Sequence, residues 1–113
     1  MLALVLSAEP VFAQERNPAE RQKLVDLARI LGESHWIRRV CTGGQDQSWY
    51  GRMEQLLAVE AADQGLKRRL SLSFNDGYHA AEALYPQCVE AARTEARRIA
   101  KTAQGLSETL AGP

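Results

Sequence analysis

The residues best suited to chemistry fall into a few groups. Ser34, His35 and Arg38 form the first, on one helical face with Leu27 and Leu31, because positions three, four and seven apart share one side of an α-helix. Polar groups on such an inner arc need partners, since an unpaired buried group costs about 1–3 kcal/mol. In one reading the arc opens to solvent at the end of the fold, or its polar groups bond the carbonyls of the 42–48 loop. In the other, His35, Arg38 and Trp49 line a small polar pocket, where an Arg suits a carboxylate or phosphate.

His79 and Glu82 are three apart on an outward face with Leu72 and Asn75, so the pair could share a metal. A di-metal bundle needs inward Glu residues on two helices and two Glu-x-x-His pairs, and one reversed, outward pair falls short of that. Glu54 and Glu60 are six apart on poorly matched faces and read as solvated carboxylates. Arg93, Arg97, Arg98 and Lys101 make a basic strip, but a strip without interleaved aromatics is a solvated face rather than a nucleic-acid surface. No metal-finger spacing, phosphate loop or GxSxG elbow occurs. The expectation is no catalytic residue, no metal ligand and no cofactor.

The elements that must position these residues are helical. Asn17-Pro18-Ala19-Glu20 joins a capping residue, a proline suited to the first helical position and an acid placed for a capping box. Leu24, Leu27, Ala28, Ile30, Leu31 and Ile37 follow at helical spacing, and Thr42-Gly43-Gly44 stops the segment. Asp46 caps a second helix carrying Trp49, Met53, Leu56 and Leu57. Asp63 caps a third, with Leu66, Leu70, Phe74, Tyr78, Ala81 and Leu84 on one stripe before Pro86. Val89, Ala92, Ala96, Ile99, Ala100, Ala103, Leu106 and Leu110 mark a fourth, with a frayed tail after Gly105. The expected spans are 18–41, 46–62, 64–85 and 89–110.

Asn75-Asp76-Gly77 is a turn signal inside the third segment. The stripe keeps its phase across it, which predicts one helix with Gly77 on the inner face. Glycine there costs roughly 1 kcal/mol relative to alanine, so close helix contact must offset it.

Short connections make consecutive helices antiparallel neighbours. An up-down-up-down order then brings Cys41 and Cys88 to the same end. In an oxidising compartment they should pair, for roughly 4 kcal/mol by loop-closure entropy. No CxxC is present, which argues against a redox pair. The fold class is therefore all-α, an antiparallel four-helix bundle-like domain with one disulfide.

The 113 residues allow one domain, and 45% apolar with 25% charged composition is ordinary for a globular chain. Fourteen basic and fourteen acidic residues give no net charge, which removes the basic excess expected of a nucleic-acid protein. No apolar run is long enough to span a membrane. Residues 1–13 read as the end of a secretory signal, with apolar Leu2 to Leu6 and the small-residue pattern Val11-x-Ala13 before Gln14. The basic n-region is missing and Glu9 lies near the apolar run, which places the true start upstream. A short apolar arm packed on the domain is the other reading. Residues 14–113 form the helical domain.

Three strings carry a resemblance. They are Leu31-Gly32-Glu33-Ser34-His35-Trp36-Ile37-Arg38-Arg39-Val40-Cys41, then Gln47-Ser48-Trp49-Tyr50-Gly51-Arg52-Met53-Glu54, then Ser73-Phe74-Asn75-Asp76-Gly77-Tyr78 followed by Tyr85 and Cys88. Together they resemble a family of small, secreted, functionally uncharacterised Gram-negative bacterial proteins, over about residues 24 to 110. That family's pattern is LGxxHxLRxLC, QxWRxRMExL and FNxGY, from which Ile37, Val40 and Tyr50 depart. The resemblance implies a periplasmic location and no established enzyme activity. Its motif positions here are His35, Arg38, Trp49, Arg52, Asn75 and Gly77, and His79 joins them as a candidate interaction residue on the outer face of the third helix.

The resulting expectation is a non-enzymatic periplasmic accessory or interaction protein of the cell envelope. Its partner would be an envelope protein or a small ligand. The alternative is a small-ligand or metal-binding bundle using the His35/Arg38/Trp49 end. Export from an intact upstream n-region should give a mature chain that begins at Gln14, and N-terminal sequencing that starts at Met1 would refute the signal.

Overall fold

A computed structural model describes residues 16–45, 47–60 and 64–111. The expected signal segment and the expected caps Asp46 and Asp63 lie outside the described residues. Four helices are present, α1 (Pro18–Thr42), α2 (Ser48–Val59), α3 (Gln64–Leu84) and α4 (Glu90–Ala111), and the described residues contain no strand. None of the helices is long and apolar enough to cross a membrane.

Local chemistry sets the ends of α1. The Asn17 side chain accepts the Glu20 N–H at 2.8 Å, and the Glu20 carboxylate accepts the Asn17 N–H at 3.1 Å, the reciprocal exchange of a capping box. The Asn17 N–H and then Arg16 hold the Glu20 carboxyl below its ordinary range. Gly43 ends the helix at φ 117°, a conformation open to glycine and strained for other residues. The α2 helix is shorter than its stripe suggests. It begins after Gln47, which makes no side-chain cap, and ends at Val59.

The long helix α1 is the hub of the fold. The Cα atoms of α2, α3 and α4 all approach it closely, while no described Cα pair between α4 and either α2 or α3 comes within 8 Å. α3 runs parallel to α1. Arg69 donates to Gln22, Ser73 Oγ donates to the Val25 carbonyl at 2.7 Å, and Trp36 Nε1 donates to the Tyr85 carbonyl at 2.8 Å. The offset between partners stays between 47 and 49 residues, and the Cys41–Cys88 disulfide continues it at 47, with Cα atoms 4.9 Å apart. α2 and α4 run the other way. Arg16 below α1 meets Glu60 at the end of α2 and the Leu110 carbonyl at the end of α4, while further up His35 meets Tyr50 and Glu33 faces Glu95 and Arg98.

Two buried clusters fill the space around α1. Leu24, Leu27, Leu31, Met53, Leu70 and Phe74 belong to the larger one. Ile37, Ala81, Ala92 and Ile99 form the smaller, beneath the disulfide end. Several stripe positions depart from expectation. Leu84 and Val89 flank the Pro86 corner, where the chain leaves α3 before α4 begins, and are exposed. Ala100 is also exposed. The tail after Gly105 is helical to Ala111, and Leu110 is buried against the larger cluster, so packing holds the segment expected to fray.

The α3 helix runs unbroken through Asn75-Asp76-Gly77. A Cβ at Gly77 would fall on the Arg29 carbonyl oxygen, with the carbonyl carbon at 2.9 Å. A Cβ at Gly32 would fall on the Phe74 carbonyl oxygen and lie 2.9 Å from the Tyr78 nitrogen. Each glycine therefore lets the other helix's backbone in. Gly105 of α4 has nothing near its missing Cβ, which makes it a control. Gly77→Ala should lower the urea midpoint by the equivalent of about 3 kcal/mol or more, at the upper end of overpacking costs. Gly105→Ala should raise stability by about 1 kcal/mol, through helix propensity alone.

Candidate functional site

The candidate residues separate into three places. His35 is 4% exposed, and its ring lies 5.4 Å from Tyr78 and 5.8 Å from both Tyr50 and Phe74, centroid to centroid. Tyr78 also meets Trp36 edge-on at 5.5 Å and accepts a hydrogen bond from Arg39 at 3.3 Å. The end of the bundle near His35 is thus packed with rings that bridge α1, α2 and α3. Ser34 is buried beside His35 in sequence, and its hydroxyl has no hydrogen bond among the described residues.

Arg38 is exposed, which corrects its placement on a buried arc. The arc of Leu24, Leu27 and Leu31 faces the gap between α2 and α4, and at Arg38 that gap has opened to water. Asn75 and His79 stand exposed on the outer face of α3, with His79 Nδ1 3.4 Å from Glu82. Among the described residues no three His, Cys, Asp or Glu side chains gather as a metal site would require. Gly77 serves the helix contact described above.

Trp49 and Arg52 belong elsewhere, to a cleft of about 770 Å³ between α2 and α4. That volume is in the range of small-molecule sites. Leu24, Leu27 and Leu31 of α1 form its floor, Leu56 lies on the α2 wall, and Ala100 and Ala103 on the α4 wall. The cleft takes neither His35 nor Arg38 into its lining. At the rim the Arg52 guanidinium carbon sits 5.0 Å from the centre of the Trp49 ring, a cation–π contact that keeps the charge against an apolar wall.

A buried ion pair closes the other end. Arg16 Nη2 donates to Glu60 Oε1 at 3.0 Å, and Nη1 donates to the Leu110 carbonyl at 2.8 Å and to Glu20 at 3.3 Å. The side chains of Arg16 and Glu60 are 8% and 2% exposed, so Glu60 is far from the solvated carboxylate expected of it. The Glu60 hydrogen bond and charge raise the Arg16 pKa further above its ordinary value. This single guanidinium ties the ends of α2 and α4 to the start of α1. No local pattern marks it, because the partners are 44 and 94 residues away.

Removing one member of a buried pair leaves an uncompensated charge, while replacing both with apolar groups is often neutral. Arg16→Met alone should therefore destabilise the domain by roughly 3–5 kcal/mol. The double variant Arg16→Met/Glu60→Leu should recover most of that loss in urea titrations. Arg38→Met, at an exposed position, should leave the midpoint nearly unchanged.

No curated protein and no solved structure matches the chain. A family model described as "Protein of unknown function (DUF2385)" matches residues 19–112. The match takes in all four helices, both cysteines, the glycine pair and the floor and walls of the cleft, and on that extent the chain belongs to this uncharacterised family.

Proposed function

We propose that this chain is a non-enzymatic binding protein of the Gram-negative periplasm that holds a small, elongated, largely apolar molecule in the cleft between α2 and α4. The observation that carries the reading is the cleft itself, with its floor of three leucines. Two helices that both run opposite to α1 rest on it without closing on each other, and a trough of apolar surface stays open between them. Contiguous exposed apolar surface of this kind marks binding sites in folded domains.

The periplasmic part of the proposal rests on other grounds. The Cys41–Cys88 bond suits an oxidising compartment, and Val11-x-Ala13 before Gln14 has the form of a processing site. The His35 end favours a structural role, because its rings already fill the space that a ligand would need. That moves the expected ligand site from His35 and Arg38 to Trp49 and the trough below it.

N-phenyl-1-naphthylamine, an uncharged fluorophore that brightens in apolar surroundings, tests the proposal. Mature protein should enhance its emission saturably. Ala100→Trp, which adds bulk to an exposed position on the cleft wall, should abolish the enhancement while leaving the helical circular dichroism unchanged. Equal enhancement by the two proteins would overturn it.

A further inference from the structure

Charge around the cleft goes a step further and rests on the binding role just proposed. The charged side chains in its lining are Arg16, Glu60 and Arg52. Arg16 and Glu60 neutralise each other at the closed end. Arg52 makes no hydrogen bond or ion pair among the described residues. Its helical neighbours three and four positions away are Ser48, Trp49, Gln55 and Leu56, so α2 offers it no acid at pairing distance. Glu54, the nearest acid in sequence, acts on the Tyr50 hydroxyl, whose pKa it raises. Across the cleft, α4 presents Ala100, Ala103, Gln104 and Ser107. Among the described residues the cleft therefore carries one uncompensated positive charge, held at its rim on the face of Trp49.

The trough below that charge has a definite length. From Trp49 to Glu60 on α2, and from Ala100 to Ala111 on α4, the walls run eleven residues, or about 16 Å at the helical rise. A zigzag of carbon–carbon bonds of about 1.5 Å covers that span in roughly a dozen carbons. We infer that the ligand is an anionic single-chain amphiphile whose acidic head meets Arg52 at the rim and whose alkyl chain lies along Leu31, Leu27 and Leu24 toward the Arg16–Glu60 pair. A guanidinium fork matches the two oxygens of a carboxylate. The chain covers the leucine floor, and the ion pair at the closed end limits its length.

Titration calorimetry of the mature protein with three twelve-carbon probes below their micelle concentrations tests this. The probes are dodecanoate, 1-dodecanol and dodecylammonium. Dodecanoate should bind about ten- to a hundredfold more tightly than 1-dodecanol, the range of a hydrogen bond to a charged group. Arg52→Gln should remove that advantage and leave 1-dodecanol affinity unchanged. Arg52 is exposed, so the variant keeps its fold, and circular dichroism checks this. Equal binding of dodecanoate and 1-dodecanol by the wild-type protein overturns the inference and leaves the binding role standing. Preference for dodecylammonium also overturns it, by pointing to Glu60 instead. Binding of none of the three, together with no fluorophore enhancement, overturns both.

Discussion

Backbone-to-backbone contact between α1 and α3 is the constraint on which the rest of the structure depends. Gly32 and Gly77 each remove the one atom that would keep the helices apart. The contact can form in a single register, because sliding by one residue would put a side chain where a carbonyl now lies. That register aligns Ser73 with the Val25 carbonyl and Trp36 with the Tyr85 carbonyl. It also delivers Cys88 to Cys41. The disulfide thus closes a geometry that steric fit has already specified. Side chains around the contact pack to the density that makes such interiors intolerant of added volume.

With α3 seated so closely, α1 has two flanks left, and α2 and α4 take one each. His35 and its ring neighbours are the joint on the α2 side. Burying a histidine among aromatic rings gives that joint apolar bulk with a polar edge. The α4 side uses smaller residues, Ala92, Ile99 and Ala103. Small residues draw α4 onto α1 but leave little reach toward α2, and the trough over the leucines is the result. The open site is a consequence of side-chain size on α4 as much as of any residue lining it.

Much of the fold was legible in the sequence because its signals are local. Asn17, Pro18 and Glu20 act within one turn, Gly43 ends a helix by its own conformation, and the α3 stripe keeps phase through Gly77 within a single helix. The inner placement of Gly77 followed from that phase. The candidate site was legible only in part. Trp49 and Arg52 stood out by type, but the wheel that grouped Arg38 with Leu27 and Leu31 carries no information about where neighbouring helices stop. Arg38 is on the right side of α1 and still reaches water, because it lies beyond the stretch of α1 that floors the cleft. The Arg16–Glu60 pair was illegible for a different reason. Their pairing is decided by where three helix ends meet, and periodicity within one helix has no access to that.

The two cysteines enclose α2 and α3 within one covalent loop, and α4 lies outside it. Only α1 brings its backbone within 8 Å of the described part of α4, and the cross-link holds α4 only at its first turn, through Cys88 two residues before it. Elements with the fewest neighbours open first in native-state hydrogen exchange. The amide protons of α4 accordingly trade with solvent ahead of those in the α1–α3 pair. Each such opening lifts one wall of the trough away from its floor while the disulfide loop stays folded. The architecture thereby separates a rigid, cross-linked half from a detachable wall, and traffic into and out of the trough can proceed at the pace of a local opening without global unfolding.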